Sequence, residues 1–268
     1  MITIIIVVYK SDPIKLKKLL NRIGNKYKII IIDNSFNYNF KKISIGNNVK
    51  IIRSKNIGNG AGINLGIKAT KTDYALYFDI DVDFNRDLIR KLYLEAKKIK
   101  NFTILCPNTG KFYSKPKIIE NYNFEAPVMF FNIKNLKTIG LFDEKIFLYF
   151  EEIDLFYRCK KNKKKIYIIQ KLKISHTRSS SISKKIDIDN KVLYLRQWHY
   201  MWSMFYYYKK NFNYLYAIKK TIYFMIADIL KLIYFLIKFN KKNLLIRFNR
   251  ISGLLSSCLL LKSYKRIY

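Results

Sequence analysis

Three carboxylates fall within five residues at Asp79-Ile80-Asp81-Val82-Asp83, directly after the apolar run Tyr74–Phe78. Acids packed so closely beside an apolar strand repel one another unless a cation or a basic group lies between them. Their hard oxygen ligands suit Mg²⁺ or Mn²⁺, ions that keep some waters and take further ligands from a diphosphate. The competing reading is an acidic turn capping a helix that begins near Arg86 or Asp87. A second acidic group stands at Tyr149-Phe150-Glu151-Glu152-Ile153-Asp154. Within it Asp154 and Arg158, spaced i and i+4, read as a structural helical pair. Glu151 and Glu152 point to different faces, and either one in an apolar cleft would have a raised pKa and serve as a general base. His176 is one of two histidines in the chain. Alone it reads first as structural. Asn56–Gly66 carries glycines at 58, 60, 62 and 66, which suits backbone cradling of phosphate at a helix start, although it is neither a GxGxxG nor a Walker loop.

These groups need elements to hold them. Ile2–Val8, Lys28–Ile32, Val49–Ile52 and Tyr74–Phe78 are short runs rich in β-branched and aromatic residues, as strands require. Pro13–Ile23 has apolar residues at helical spacing, with Asp12 as N-cap and proline at the first helical position. Gly62–Ala69 reads as another helix. Strands alternating with helices imply an α/β fold with a mostly parallel sheet buried on both faces. Ligands then gather at the carboxyl ends of the strands. Polar groups follow all four runs: Tyr9-Lys10-Ser11, Asp33-Asn34-Ser35, Asn56 through Asn64, and Asp79 through Asp83. One such group would be a turn; four around one crevice are a site.

Taken in order, these residues resemble the large inverting family of GT-A-fold glycosyltransferases that includes bacterial rhamnosyl- and galactofuranosyl-type enzymes. The resemblance covers roughly residues 1–180. It rests on Val8-Tyr9-Lys10, Ile32-Asp33-Asn34-Ser35, the Asn56–Gly66 segment, Asp79-x-Asp81, Gly140-Leu141-Phe142-Asp143-Glu144, Tyr149 through Leu155, and His176. It implies a Rossmann-like GT-A domain that moves a sugar from a UDP- or dTDP-linked donor to a saccharide or lipid-linked glycan, as in O-antigen or capsule synthesis. It gives Asp33 contact with the nucleotide base, and lays Tyr9, Asn56, Gly58 and Asn64 along the nucleotide. Asp81 resembles the metal-binding acid, assisted by Asp79 and Asp83, with His176 a downstream ligand of the Mg²⁺ or Mn²⁺ or of the diphosphate. Arg178 and nearby lysines are candidate phosphate partners. Glu152 takes the second place of the family's acidic pair and resembles the catalytic base; glutamate in place of aspartate leaves Glu151 and Glu152 both open. Glu125-Ala126-Pro127 stands where relatives carry Gly-Ala, in the acceptor region.

Composition narrows the classes further. The 268 residues are 50% hydrophobic and 16% aromatic, enough for a packed core. Cys106, Cys159 and Cys258 form no CxxC and no even framework, which points to a reducing compartment. Met1 leads straight into Ile2–Val8, too short to span a bilayer and without the basic start of a leader. Beyond a linker at Ser179–Lys185, residues 181–268 form a helical extension to the 1–180 domain, rich in aromatics and lysine. Thr221–Phe239 approaches a spanning length, but Asp228 and Lys231 interrupt it. Helices lying on an anionic membrane surface fit better, at the cytoplasmic face of the cell membrane; a homo-oligomer interface is the other use for them. A net charge of +34 also suits nucleic acid, yet acids at successive strand ends would repel phosphate and no nucleic-acid motif is present. A sugar nucleotidyltransferase would share the sheet, nucleotide and metal, but it would form nucleotide sugar and release pyrophosphate.

Overall fold

The computed structural model describes residues 1–43, 45–110, 117–176 and 190–266. The linker expected at Ser179–Lys185 and the candidate phosphate partner Arg178 lie outside these. The described residues fall into two compact units. One contains Met1–Phe142 and the segment from Glu152 to His176; the other contains Asp143–Glu151 and the chain from Asn190 onward.

In the first unit the strands are β1 (Ile2–Val8), β2 (Lys28–Asp33), β3 (Val49–Arg53), β4 (Tyr74–Phe78), β5 (Val82–Phe84), β6 (Ile104–Asn108), β7 (Ile118–Glu120), β8 (Val128–Asn132) and β9 (Ile166–His176). They are accompanied by helices α1 (Pro13–Ile23), α2 (Asn59–Ala69), α3 (Leu88–Lys98), α4 (Ile133–Ile139) and α5 (Glu151–Lys161). Among the described residues the sheet runs β3-β2-β1-β4-β8-β6-β9-β5, with β7 against β9. Pairing is parallel from β3 through β4 and between β6 and β9. It is antiparallel where β8 meets β4 and β6, and where β5 and β7 meet β9. The expected parallel half is therefore there, extended by an antiparallel half.

Alternation along β1 divides the core. Ile4 and Ile6 join Leu16 and Leu19 of α1 and Leu92 of α3 on one side, while Ile5 joins Ile63 of α2, Leu136 of α4 and Phe156 of α5 on the other. A strand buried on both faces reads as an unbroken apolar run, which is why Ile2–Val8 carries no polar alternation. Asp12 caps α1 by accepting the Ile14 amide at 2.9 Å, as its position before Pro13 implied. The glycines of α2 serve close packing. A Cβ at Gly66 would collide with the Ile5 side chain, and one at Gly62 would stand 2.9 Å from Val7. α2 can lie against β1 only because those positions lack side chains.

In the second unit α6 (Lys191–Asn211), α7 (Tyr214–Ile237) and α8 (Lys241–Cys258) pack together. α6 buries Trp198, Met201, Trp202 and Phe205. Gly253 of α8 touches the α6 backbone where a Cβ would strike the Trp198 carbonyl. Asp228 of α7 is buried and accepts from Arg247 Nη1 at 2.9 Å and Arg250 Nε at 2.7 Å, both on α8. The segment Asp143–Glu151, expected with the catalytic domain, groups instead with these helices. Lys210 and Tyr206 hold the Asp143 carboxylate at 2.7 and 3.0 Å, and the Ser203 hydroxyl donates to the Leu148 carbonyl at 2.8 Å.

Candidate functional site

Asp79 stands just past the last residue of β4, and its amide donates to the Pro127 carbonyl at 2.8 Å, fastening the strand end to the chain entering β8. β5 pairs with the end of β9 so that Val82 faces His176. That register carries a residue ninety-five positions away back to the acidic segment. His176 Nε2 lies 3.1 Å from Asp81 Oδ1 and 3.9 Å from Asp79 Oδ2. One ligand atom from each of Asp79, Asp81 and His176 lies within 4.8 Å of the other two. Two carboxylate oxygens and one imidazole nitrogen at this separation fit a divalent cation.

The electrostatics agree with a site in need of positive charge. Burial pushes the Asp79 carboxyl up to about 7; a hydrogen bond from Tyr77 opposes this, and the charges of Asp81 and Glu152 add to it while His176 opposes it. The hydrogen bond to Asp81 leads in raising the His176 imidazole above its usual value, against the opposing effect of burial. Glu152 is raised by burial first and then by the charge of Glu125. Asp79 thus feels Asp81, His176 and Glu152, and Glu125 reaches both His176 and Glu152.

Asp83 does not join the cluster. Its side chain is half exposed and forms an ion pair with Arg22 of α1, whose guanidinium also lies over the Phe84 ring. Alternation along β5 buries Val82 and Phe84 and turns Asp83 outward between them. The assistance expected from Asp83 as a metal ligand is thus replaced by a tie between β5 and α1.

The polar residues after the other strands have assorted uses. Asp33 is buried, and its two oxygens accept the Ser35 amide at 2.9 Å and the Tyr38 amide at 3.0 Å. It shapes the loop after β2, where contact with a nucleotide base was expected. Asn34 accepts from the Ser54 hydroxyl and donates to the Gly58 carbonyl, so β2 fixes the entry to α2. Gly58 itself has φ 96°, ψ 168°, a conformation open to glycine. Tyr9 hydrogen-bonds Asn56, bringing those two expected donor-site residues together at the strand ends. Asn64 departs from expectation most clearly. It is buried, donates to the Phe142 carbonyl at 2.9 Å and accepts the Phe142 amide at 3.0 Å, so it clamps a backbone and does not line a crevice.

The acidic pair begins α5. Glu151 is buried and Glu152 half-buried, so they do face different ways. Ahead of them Tyr149 and Phe150 have φ of 63° and 69°, left-handed values that are outliers for bulky side chains. Phe150 is held against the rings of Tyr200 and Tyr207 at centroid distances of 5.7 and 5.6 Å. Asp154 and Arg158 form the structural pair expected, at 2.9 Å, and the same guanidinium donates to the carbonyls of Ile139, Gly140 and Leu141.

One residue escaped the sequence reading, and a second was noticed without its place beside the acids. The Tyr77 hydroxyl donates to the Asp79 carboxylate and lies 3.2 Å from Asn59 Oδ1, so Tyr77 supports the first acid of the candidate cation cluster. The available signal was the two-residue spacing from Tyr77 to Asp79 along one strand. Glu125 was visible as a departure, but its reach to Glu152 and His176 depends on the antiparallel course of the chain into β8.

The chain matches the family described as glycosyl transferase family 2 over residues 3–154. It is 24% identical over 191 residues to the low-salt glycan biosynthesis hexosyltransferase Agl10 of Haloferax volcanii. That match covers 60% of this chain and 62% of the relative, so the chain spans less than two thirds of that protein. In fold it is similar to S. aureus TarS 1–349 in complex with UDP-GlcNAc, at a TM-score of 0.51 and 12% identity over 97% of this chain and 92% of the other. It is also similar to GalNAc-T7 with UDP, GalNAc and Mn²⁺, at a TM-score of 0.55 and 12% identity over 68% of this chain and 44% of that one.

Proposed function

The chain belongs to glycosyl transferase family 2 and has the GT-A fold, and from that premise we propose that it transfers a hexose, with inversion, from a UDP- or dTDP-linked donor to a saccharide or lipid-linked glycan at the cytoplasmic face of the cell membrane. The observation that carries this reading is the convergence of Asp79, Asp81 and His176 at the end of β4, with Glu152 close enough to disturb Asp79. The kinship with a glycan-building hexosyltransferase supports the hexosyl class and a role in cell-surface polysaccharide synthesis.

Each residue then has a chemical task. Glu152 removes the proton of the acceptor hydroxyl as that oxygen attacks the anomeric carbon opposite the nucleoside diphosphate. The bond from that carbon to the diphosphate oxygen breaks, and one displacement inverts the configuration. Burial and the neighbouring Glu125 charge raise the proton affinity of Glu152, which strengthens it as a base near neutral pH. Glu151, buried beside it, is the weaker candidate. Tyr9 and Asn56 lie on the donor side, and Asp33 acts there through the loop it holds. Asp79, Asp81 and His176 would hold Mg²⁺ or Mn²⁺, which when bound neutralises charge developing on the leaving diphosphate.

The test is a panel of UDP-, dTDP- and GDP-sugars incubated with the protein in Mn²⁺, in Mg²⁺ and in EDTA. Metal-dependent binding of one donor and slow release of nucleoside diphosphate are expected. Release of pyrophosphate would instead mark a nucleotidyltransferase, and retention of nucleic acid with no donor binding would sink the glycosyltransferase reading.

A further inference from the structure

Helix α7 presents two opposed faces. Its buried residues are Ala217, Thr221 and Asp228, which lie on one side, and Asp228 is taken up by Arg247 and Arg250 of α8. In the sequence Asp228 interrupts a stretch of spanning length. Turned inward between two guanidiniums, it leaves the outer face without an acid. That outer face carries Leu215, Ile222, Ile226, Leu230, Ile233 and Ile237, from 47% to 77% exposed. Lys219 takes the position between Leu215 and Ile222 on that line; from Ile222 to Ile237 intervals of three and four residues place five apolar side chains on one unbroken stripe, which at 1.5 Å per residue runs about 23 Å. Single exposed leucines are ordinary, whereas a continuous stripe of this length marks a surface that meets something.

The surrounding charge identifies the partner. Lys219, Lys220, Lys231 and Lys238 are exposed along or just beyond α7, and Lys241 and Lys242 open α8. An apolar stripe bordered by lysines is the pattern of a helix lying in the headgroup plane, its lysine stems extending toward lipid phosphates. A second copy of this chain fits less well, because each copy carries +34 and would bring lysine against lysine. Crossing the bilayer is not the arrangement either: among the described residues no helix is long and apolar enough. We propose that the outer face of α7 seats in the plane of an anionic lipid bilayer, with its flanking lysines on the headgroups. This deepens the acceptor half of the proposed function, since a lipid-linked acceptor is reached at such a surface, but it does not depend on which donor is used.

The experiment is flotation of the whole protein, without donor or acceptor, on vesicles of phosphatidylcholine alone and on vesicles containing phosphatidylglycerol. Binding to the anionic vesicles is expected, weakening as NaCl rises. The variant Ile226→Ser/Leu230→Ser/Ile233→Ser should bind at least about tenfold more weakly, and Lys219→Gln/Lys220→Gln/Lys231→Gln should lose binding and its salt dependence. Circular dichroism and donor hydrolysis in the same samples should match the unsubstituted protein, which separates failure of this surface from failure of the active-site reading. Absence of binding to anionic vesicles, or equal binding to neutral ones, overturns the proposal. So does light scattering that shows a dimer abolished by the triple serine variant, which would give the stripe to a second copy.

Discussion

At the scale of single residues, the cluster at the end of β4 makes distinct demands on each member. Asp81→Ala and His176→Ala each remove one ligand atom of the proposed cation site, so both should weaken Mn²⁺ binding by at least about 100-fold, read from the paramagnetic resonance of free Mn²⁺. Tyr77→Phe deletes only the hydroxyl that bonds Asp79. As loss of an outer support it should cost about 10- to 100-fold in metal affinity while leaving the thermal midpoint nearly unchanged. Glu152→Gln should leave donor and metal binding intact and lower transfer by about 10² to 10⁴, whereas Glu151→Gln should act more on stability than on turnover. Equal losses from both would mean that the base was misassigned. The family resemblance singled out Asp79, Asp81 and His176, because by themselves clustered acids also suit a helix-capping turn and a lone histidine reads first as structural. It did not separate Asp33 and Asn64 from ligand contacts, because a polar residue at a strand end can face a substrate or satisfy buried backbone, and both uses leave the same letters. In Asp33 and Asn64 the backbone wins, with two hydrogen bonds each.

At the scale of elements, periodicity located the pieces well and pairing poorly. α1, β1 and β4 have the bounds their apolar spacing implied, since that spacing is what buries them. The antiparallel insertion of β8 between β4 and β6 was invisible, because a doubly buried strand reads the same in either direction. The glycines of Asn56–Gly66 suggested a phosphate loop, and most of them belong to a helix pressed on β1. Gly66→Ala should therefore destabilise the fold by about 1–3 kcal/mol through overpacking, measured by urea titration, and Ile5→Ala should cost less in that background than in the native one. His199 gives the helical unit a pH limit. It is fully buried; its Nε2–H donates to the Lys265 carbonyl at 2.9 Å, and its Nδ1 accepts from the Ser263 hydroxyl. Burial lowers its pKa to about 4, with the nearby Arg266 and Lys265 charges adding to the effect. Because the folded value lies below the unfolded one, folded and unfolded states are both neutral above about 6.5, and stability is lost as pH falls from there toward about 4. The loss should approach 1.4 kcal/mol per pH unit, on the order of 3 kcal/mol in all. His199→Gln should flatten that part of a stability-against-pH curve.

At the scale of the whole molecule, the charge sets conditions on everything else. With 52 Lys and Arg against 18 Asp and Glu, most cations lack an acid to offset them even if every acid held one. The supply is thinner in practice, because Asp228 alone engages two arginines and Asp79 and Asp81 sit with His176. The uncompensated lysines repel one another across the surface, and that repulsion disfavours the compact state. Exposed ion pairs contribute little in the other direction, typically under about 1 kcal/mol each. Screening should therefore help this protein more than it harms it. As NaCl rises from about 0.02 to 0.3 M, the Debye length shrinks from about 20 Å to under 8 Å, which removes repulsion between lysines on neighbouring helices but spares the buried Asp228 cluster. The thermal midpoint should rise by about 2–4 °C for each kcal/mol relieved, as read by differential scanning calorimetry. A midpoint that falls with NaCl would mean that surface ion pairs outweigh lysine repulsion. Phosphatidylglycerol vesicles at low salt should raise the midpoint as well, because they supply anions to the same lysines, and the triple serine variant of α7 should lose that gain while keeping the response to NaCl. Those two responses separate general screening from seating on lipid, and they assign to the surface charge a role that composition alone left undecided.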